Sequence, residues 1–302
     1  MPPASRVQIL LAFLVVYVVW GSTYLAIRIA VKDLPPMLFA GVRFIAASVL
    51  LGGVARLRGQ HLPATRRDWL SAAFMGVMMV TLGNGLVTWG EQWVASNQAA
   101  LIVSSSALWI AWFGTFGTRG YSLSWQARIG LAVGFAGVIL MLMPGNGFAF
   151  DHLLAQIAIL ASAVCWAGGA MYGRAATIET PALMFTAWQM LFGGIVLAAA
   201  GLASGEAPRW HWTAAGAGAL AYLIVFGSCL AYATYVWLLK YATPDRLGTI
   251  SYVNPAIALL LGWVVLGESL SGARFIGMLV ILLGLLLVAV RRPRAQLQSV
   301  SN

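Results

Sequence analysis

Ten apolar segments of 18 to 26 residues follow one another with only short connections, and nothing else in this sequence limits its fold so severely. They run near 8–30, 36–55, 69–90, 96–117 and 126–143, then 153–173, 182–202, 214–239, 247–266 and 273–290. About 20 apolar residues in a helix cross the roughly 30 Å of bilayer hydrocarbon. Backbone polar groups in lipid must be satisfied within the segment, so runs of this length are read as helices. The 302 residues are 61% hydrophobic and only 9% charged, against about 25% charged in a soluble domain. Too few charges remain to cover a core in water. The expected fold is an all-α integral membrane protein with ten transmembrane helices. Arg6 and the apolar run behind it resemble a signal peptide, but the run continues through Ile29 without a small-residue cleavage pattern and reads as the first permanent helix.

Basic side chains stay on the cytoplasmic side of short loops, so their distribution orients the spans. One set of span ends carries Arg6, Arg56, Arg58, Arg66, Arg67, Arg119, Arg128, Arg174, Lys240, Arg246, Arg291, Arg292 and Arg294. The other set carries Lys32, Arg209 and Arg274, with Arg28 nearby. Both termini are therefore expected in the cytoplasm, which requires an even number of spans. The net charge of +10 is accounted for by this bias and forms no continuous polar face for nucleic acid. Cys165 and Cys229 fall inside apolar runs, and His61, His152 and His211 have no metal-ligand spacing, so neither a disulfide framework, a metal nor a cofactor is expected.

The chain matches itself at an offset near 146 residues. Trp20 pairs with Trp166, Pro35 with Pro181, Phe39 with Phe185 and Leu51 with Leu197, and the tripeptide Ser-Leu-Ser recurs at 122–124 and 269–271. Residues 1–146 and 147–302 thus read as two five-helix repeats, the second with a short basic tail. An odd number of spans per repeat makes the second enter the membrane from the opposite side, the inverted arrangement used in alternating access.

The stretch from Trp20 to Phe44, with Trp20-Gly21, Pro35-Pro36 and Arg43-Phe44, resembles the opening of the drug/metabolite transporter superfamily in its ten-helix EamA-type branch. Trp166, Pro181 and Gln189 form a degraded second copy, and Ser251 to Ser271 is similar to the family's ninth helix with its Gly-Glu exit. The chain also resembles a bacterial exporter subgroup that handles aromatic and other amino acids. The resemblance implies outward small-molecule transport across a bacterial inner membrane and leaves the cargo open.

Polar and aromatic groups inside spans line protected interiors or pack between helices. Thr81, Asn84, Thr88 and Glu91 recur at three- and four-residue steps on the third span and read as a pore-lining stripe. Ser105, Trp109 and Trp112 do so on the fourth, and Ser228, Tyr232 and Tyr235 on the eighth. Trp20 and Trp166 occupy equivalent sites and are expected to face each other near the centre. Tyr252 and Asn254 precede Pro255, which frees a backbone carbonyl one turn earlier. The substrate-binding candidates are Trp20, Asn84, Thr88, Ser105, Trp109, Trp166, Tyr232, Tyr252 and Asn254. Each has a packing alternative, whereas Trp89, Trp93, Trp125, Trp210 and Trp212 near span ends read as interfacial anchors.

Arg43 lies roughly 11 Å into its span by helical rise. It either binds a substrate carboxylate or locks the structure. No carboxylate sits mid-span, so the sequence offers no support for proton coupling and downhill or weakly coupled export fits better, with Glu91 held as the reserve candidate for coupling. An aromatic cavity with Asn, Ser and Thr groups suits an amino acid with an apolar side chain, while organic cations and phosphorylated sugars are the alternative cargoes. A membrane enzyme would need paired catalytic groups at depth, which the spans lack, so an enzyme is not expected. Ten spans enclose a cavity within one chain, so the expected partners are a small-molecule substrate and the lipid bilayer around a monomer.

Overall fold

The protein is described by a computed structural model covering residues 5–116, 123–142, 150–242, 246–247, 249–269 and 272–289. Arg119, Ser122, Leu270, Ser271, Arg291, Arg292 and Arg294, on which part of the charge bias and of the tripeptide repeat rest, lie outside these residues.

Among the described residues all regular structure is helical. We number the rods α1 (Arg6–Ala30), α2 (Pro36–Leu57), α3 (Arg66–Gly90), α4 (Ser96–Ser104 and Ser106–Phe113) and α5 (Trp125–Leu142). They continue with α6 (Phe150–Ala175), α7 (Ala182–Ala203), α8 (Ala214–Tyr222, Leu223–Leu230 and Ala231–Tyr241), α9 (Ile250–Leu266) and α10 (Gly272–Ala289). Six of these, α1, α2, α3, α6, α7 and α8, contain stretches long and apolar enough to cross a membrane. Shorter apolar stretches occupy Trp125–Leu140, Ile250–Leu266 and Phe275–Val288. Leu10, Leu14, Leu50, Val196, Trp263 and Leu283 point outward and exposed, as hydrocarbon solvent favours and water does not.

Local chemistry sets the helix ends. Ser5 accepts from the Gln8 amide and donates its own amide to the Gln8 side chain, a reciprocal cap that starts α1. Pro36 opens α2 where no amide hydrogen is needed. Thr65 accepts from the Asp68 amide at 3.1 Å, so α3 begins three residues earlier than its apolar run. Gly267, at φ +65°, ends α9 in the left-handed conformation.

Two antiparallel helix pairs make the most extensive contacts among the described helices. Helices α2 and α7 approach so closely at Gly41 that a Cβ there would lie 2.5 Å from the Ala198 nitrogen. Helices α5 and α10 meet at Gly134 and Gly284, where a Cβ on Gly284 would lie 2.4 Å from the Gly134 Cα. Small residues permit such backbone contact where lipid supplies no hydrophobic drive between helices.

Several details recur 146 or 147 residues apart. Gly59 and Gly205, following α2 and α7, both have positive φ, 71° and 72°. Glu206 accepts from the Leu38 amide at 2.7 Å, and Gln60 accepts from the Met184 amide at 3.1 Å, so each closes one end of the α2–α7 pair. A π-helical stretch interrupts α3 at Gly76–Leu82 and α8 at Leu223–Leu230.

Candidate functional site

The first cluster lies where α1, α2 and α8 meet. The wide turn of a π-helix leaves carbonyls outside the regular ladder, and in α8 the Gly227 carbonyl accepts from the Trp20 indole nitrogen at 3.2 Å. The Trp20 ring then sits 5.3 Å from Tyr232 and 5.1 Å from Tyr235, centroid to centroid. Thr23 returns its hydroxyl to the Trp20 carbonyl at 2.6 Å, which fixes the α1 backbone beneath the ring.

Arg43 enters from α2 and is 3% exposed. Its Nε donates to the Ser228 hydroxyl at 3.0 Å, and its guanidinium carbon lies 4.6 Å from the Phe44 ring centre. Nη1 has no partner, and neither has the Tyr232 hydroxyl. Among the described residues no carboxylate accepts a hydrogen bond from the Arg43 side chain. A buried guanidinium with free donors is costly in a membrane interior, and a ligand anion would complete its hydrogen bonding. The cluster thus combines aromatic walls, one fixed positive charge and an unpaired phenol.

The polar stripe of α3 is divided by the π-helical turns. Thr81 turns to α7 and donates to the Gly193 carbonyl at 3.0 Å. Asn84 donates to the Met79 carbonyl at 2.9 Å, within its own rod, and Thr88 donates to the Asn84 carbonyl at 2.9 Å. Thr88 and Glu91 are fully buried. Thr81, inside the π-helical stretch, is therefore turned away from Asn84, Thr88 and Glu91, which follow that stretch, because each extra residue in a π turn shifts the helix face.

Trp20 and Trp166 have different partners. Trp166 lies against Gly83 of α3, its Cε3 3.2 Å from where a Cβ would stand, while Trp20 lies against α8. Each tryptophan thus packs on the π-interrupted rod of the other half of the sequence. Ser105 marks the break in α4 and donates to the Ile102 carbonyl at 2.6 Å. Trp109 packs on Phe135 at 4.7 Å, beside a recess of about 400 Å³ lined by Trp109, Trp112, Leu131 and Phe135. Tyr252 donates to the Leu285 carbonyl and so belongs with α10. Asn254 has a buried oxygen without a partner, and its backbone carbonyl lies beside Gly21, next to Trp20. Helix α9 is continuous through Pro255.

Glu91 ends α3 fully buried with both carboxylate oxygens unpartnered. Arg28 donates to the Glu91 backbone carbonyl. Glu268 instead binds α4 firmly, accepting from the Ser96 amide at 2.9 Å, the Ser96 hydroxyl at 2.8 Å and the Asn97 amide at 3.1 Å.

The structure brings together Trp20, Arg43 and Tyr232, with Asn254 adjacent, and keeps Trp109, Ser105 and Tyr252 in other contacts. Sequence reasoning did not single out Thr23 or the Gly227 carbonyl. The only cue for the latter was a glycine inside the polar-aromatic stripe of α8. Among the described residues no group of three or more His, Cys, Asp or Glu is placed to hold a metal.

A family model described as the EamA-like transporter family matches residues 7–143 and 153–290. The inner membrane transporter YedA of Escherichia coli K12 is 37% identical over 281 residues, covering 92% of this chain and 90% of its own. The transporter YvbV of Bacillus subtilis is 27% identical, covering 95% and 92%. The WAT1-related chloroplastic protein At3g02690 of Arabidopsis thaliana is 26% identical over 89% of this chain and 66% of its own. A solved crystal structure 21% identical in sequence superposes with a TM-score of 0.66, over 94% of this chain and 96% of that one, which establishes a shared fold.

Proposed function

Because the chain belongs to the EamA-like transporter family, and so is a membrane transporter, we propose that it exports small metabolites, foremost amino acids with aromatic or hydrophobic side chains. Transport proceeds by alternating access between two inverted five-helix halves, residues 1–146 and 147–302, that together make ten spans. The two family matches, the paired glycines after α2 and α7, the matched end contacts and the paired π-helical stretches support this reading. Both termini lie in the cytoplasm and the protein works as a monomer in a bacterial inner membrane.

The observation that carries the substrate reading is the unpaired Arg43 Nη1, whose guanidinium is anchored on Ser228 next to the Gly227 carbonyl that holds Trp20 against Tyr232. The guanidinium receives the substrate carboxylate, the rings receive its side chain, and Asn254 and the Tyr232 hydroxyl receive its ammonium group. The helical hydroxyls and amides of Asn84, Thr88 and Ser105, with Trp109, Trp166 and Tyr252, line the path as the halves move. An organic cation would meet the Arg43 charge at the same rings. A phosphorylated sugar would demand more basic groups than this one guanidinium. Glu91, buried and unpaired, carries the coupling proton.

The test is uptake and counterflow of labelled amino acids in proteoliposomes. Phenylalanine and tryptophan should exchange at least about tenfold faster than aspartate or lysine. A flat response across aromatic, aliphatic and polar amino acids defeats the substrate assignment and leaves the fold standing.

A further inference from the structure

A shallow cavity of about 230 Å³ opens on the flank of the α2–α7 pair, lined in part by Ser48, Gly52, Gly53, Arg56, Met184 and Trp188. Ser48, Gly52 and Arg56 follow one another at four-residue steps, so they lie along one stripe of α2. The hollow exists because the stripe lacks side chains where neighbouring turns carry them: a Cβ on Gly53 would meet nothing within 4 Å, and one on Gly52 only the Ala187 Cβ at 3.7 Å. Trp188 is held in place across the hollow by Trp69 of α3, 4.4 Å away.

The mouth of this hollow carries uncompensated charge. Arg56, Arg58, Arg66 and Arg67 are all exposed at this end of α2 and α3. The nearby acid, Asp68, is buried and turned elsewhere: it accepts from the Thr180 amide at 2.8 Å, the Thr180 hydroxyl and the Glu179 amide. Among the described residues no ion pair answers these guanidinium groups.

We propose that this groove is a binding site for one anionic phospholipid, its acyl chain lying over Gly52 and Gly53 and its phosphate on Arg56. An apolar hollow facing hydrocarbon loses dispersion contacts unless a chain fills it. A soluble anion would leave the hollow empty, and a zwitterionic lipid would bring its own cation along with its phosphate, leaving the arginine charge uncompensated. Only a molecule with both parts satisfies both, and basic recesses between membrane helices recognise acidic headgroups in this way. The site is separate from the Trp20–Arg43 cluster and does not depend on what is transported.

The test is native mass spectrometry of the detergent-purified protein, titrated with dioleoylphosphatidylglycerol or dioleoylphosphatidylcholine. The unaltered protein should retain one phosphatidylglycerol at about one-tenth the concentration needed for phosphatidylcholine. Arg56→Gln should bring phosphatidylglycerol to the phosphatidylcholine level. Gly53→Phe should fill the hollow and weaken retention of phosphatidylglycerol about tenfold, with the lipid-free melting temperature confirming that the variant is folded. Equal retention of the two lipids by the unaltered protein overturns the proposal, as does unchanged retention in either variant.

Discussion

At the scale of single residues, the protein concentrates its unusual chemistry in two buried ionisable side chains, Arg43 and Glu91. Arg43 has a hydroxyl partner and a free donor, a distribution that suits a guanidinium waiting for an anion. Arg43→Lys keeps the charge but loses the planar fork. Half-saturating amino acid concentration in proteoliposome exchange should then rise about tenfold or more, equivalent to about 1.4 kcal/mol, while the melting temperature stays close to that of the unaltered protein. A collapse in melting temperature with unaltered affinity would make Arg43 a structural lock. Glu91→Gln should preserve exchange of labelled substrate across vesicles but abolish the acceleration produced by an imposed pH gradient. Retention of that acceleration removes Glu91 from the coupling step. Trp20, Arg43 and Tyr232 were legible in the sequence because polar and aromatic groups are rare enough inside spans to stand out. The burial of Glu91 was not, since a glutamate at a span end reads equally well as an interfacial group.

At the scale of helices, the α2–α7 pair concentrates close packing and end contacts in one seam. Gly41→Leu would drive a side chain into the Ala198 backbone, and overpacking of this kind costs about 1–3 kcal/mol. The thermal midpoint in detergent should fall measurably, and a midpoint equal to that of the unaltered protein would mean that the seam is not close-packed. Glu206→Ala removes the acceptor for the Leu38 amide and should cost about 1 kcal/mol, more than the same change at Gln60. Thermal unfolding of the two variants side by side checks the order. Helix positions could be read from the apolar runs, and α3 departed from its run only where Thr65 capped it early. The π-helical turns could not be read, because apolar periodicity assumes a constant number of residues per turn. That assumption placed Thr81 on the stripe with Asn84 and Thr88, whereas it turns to α7.

At the scale of the whole molecule, the reading to test is that equivalent loops face opposite sides of the membrane. With Cys165 and Cys229 replaced by serine, single cysteines at Arg58 and Ser204 occupy matching places after α2 and α7. A membrane-impermeant maleimide added to intact cells should label Ser204→Cys and should reach Arg58→Cys only after permeabilisation. Labelling of both from one side would make the halves parallel. The paired tryptophans and prolines stood out in the sequence against a background of interchangeable aliphatic residues, but the contacts at the two ends of the α2–α7 pair did not. Those contacts differ at one matched position, where a carboxylate on Glu206 fastens one end of the α2–α7 seam and a carboxamide on Gln60 fastens the other. Hydrogen bonds to an ionised acceptor are about twice as strong as neutral ones. If the halves alternate as proposed, the stronger fastening would tilt the resting population toward conformers with the Glu206 end shut. Cargo arriving at that end would then spend part of its binding energy on opening it, and exchange measured from the two sides of the membrane would give unequal apparent affinities from nearly the same site.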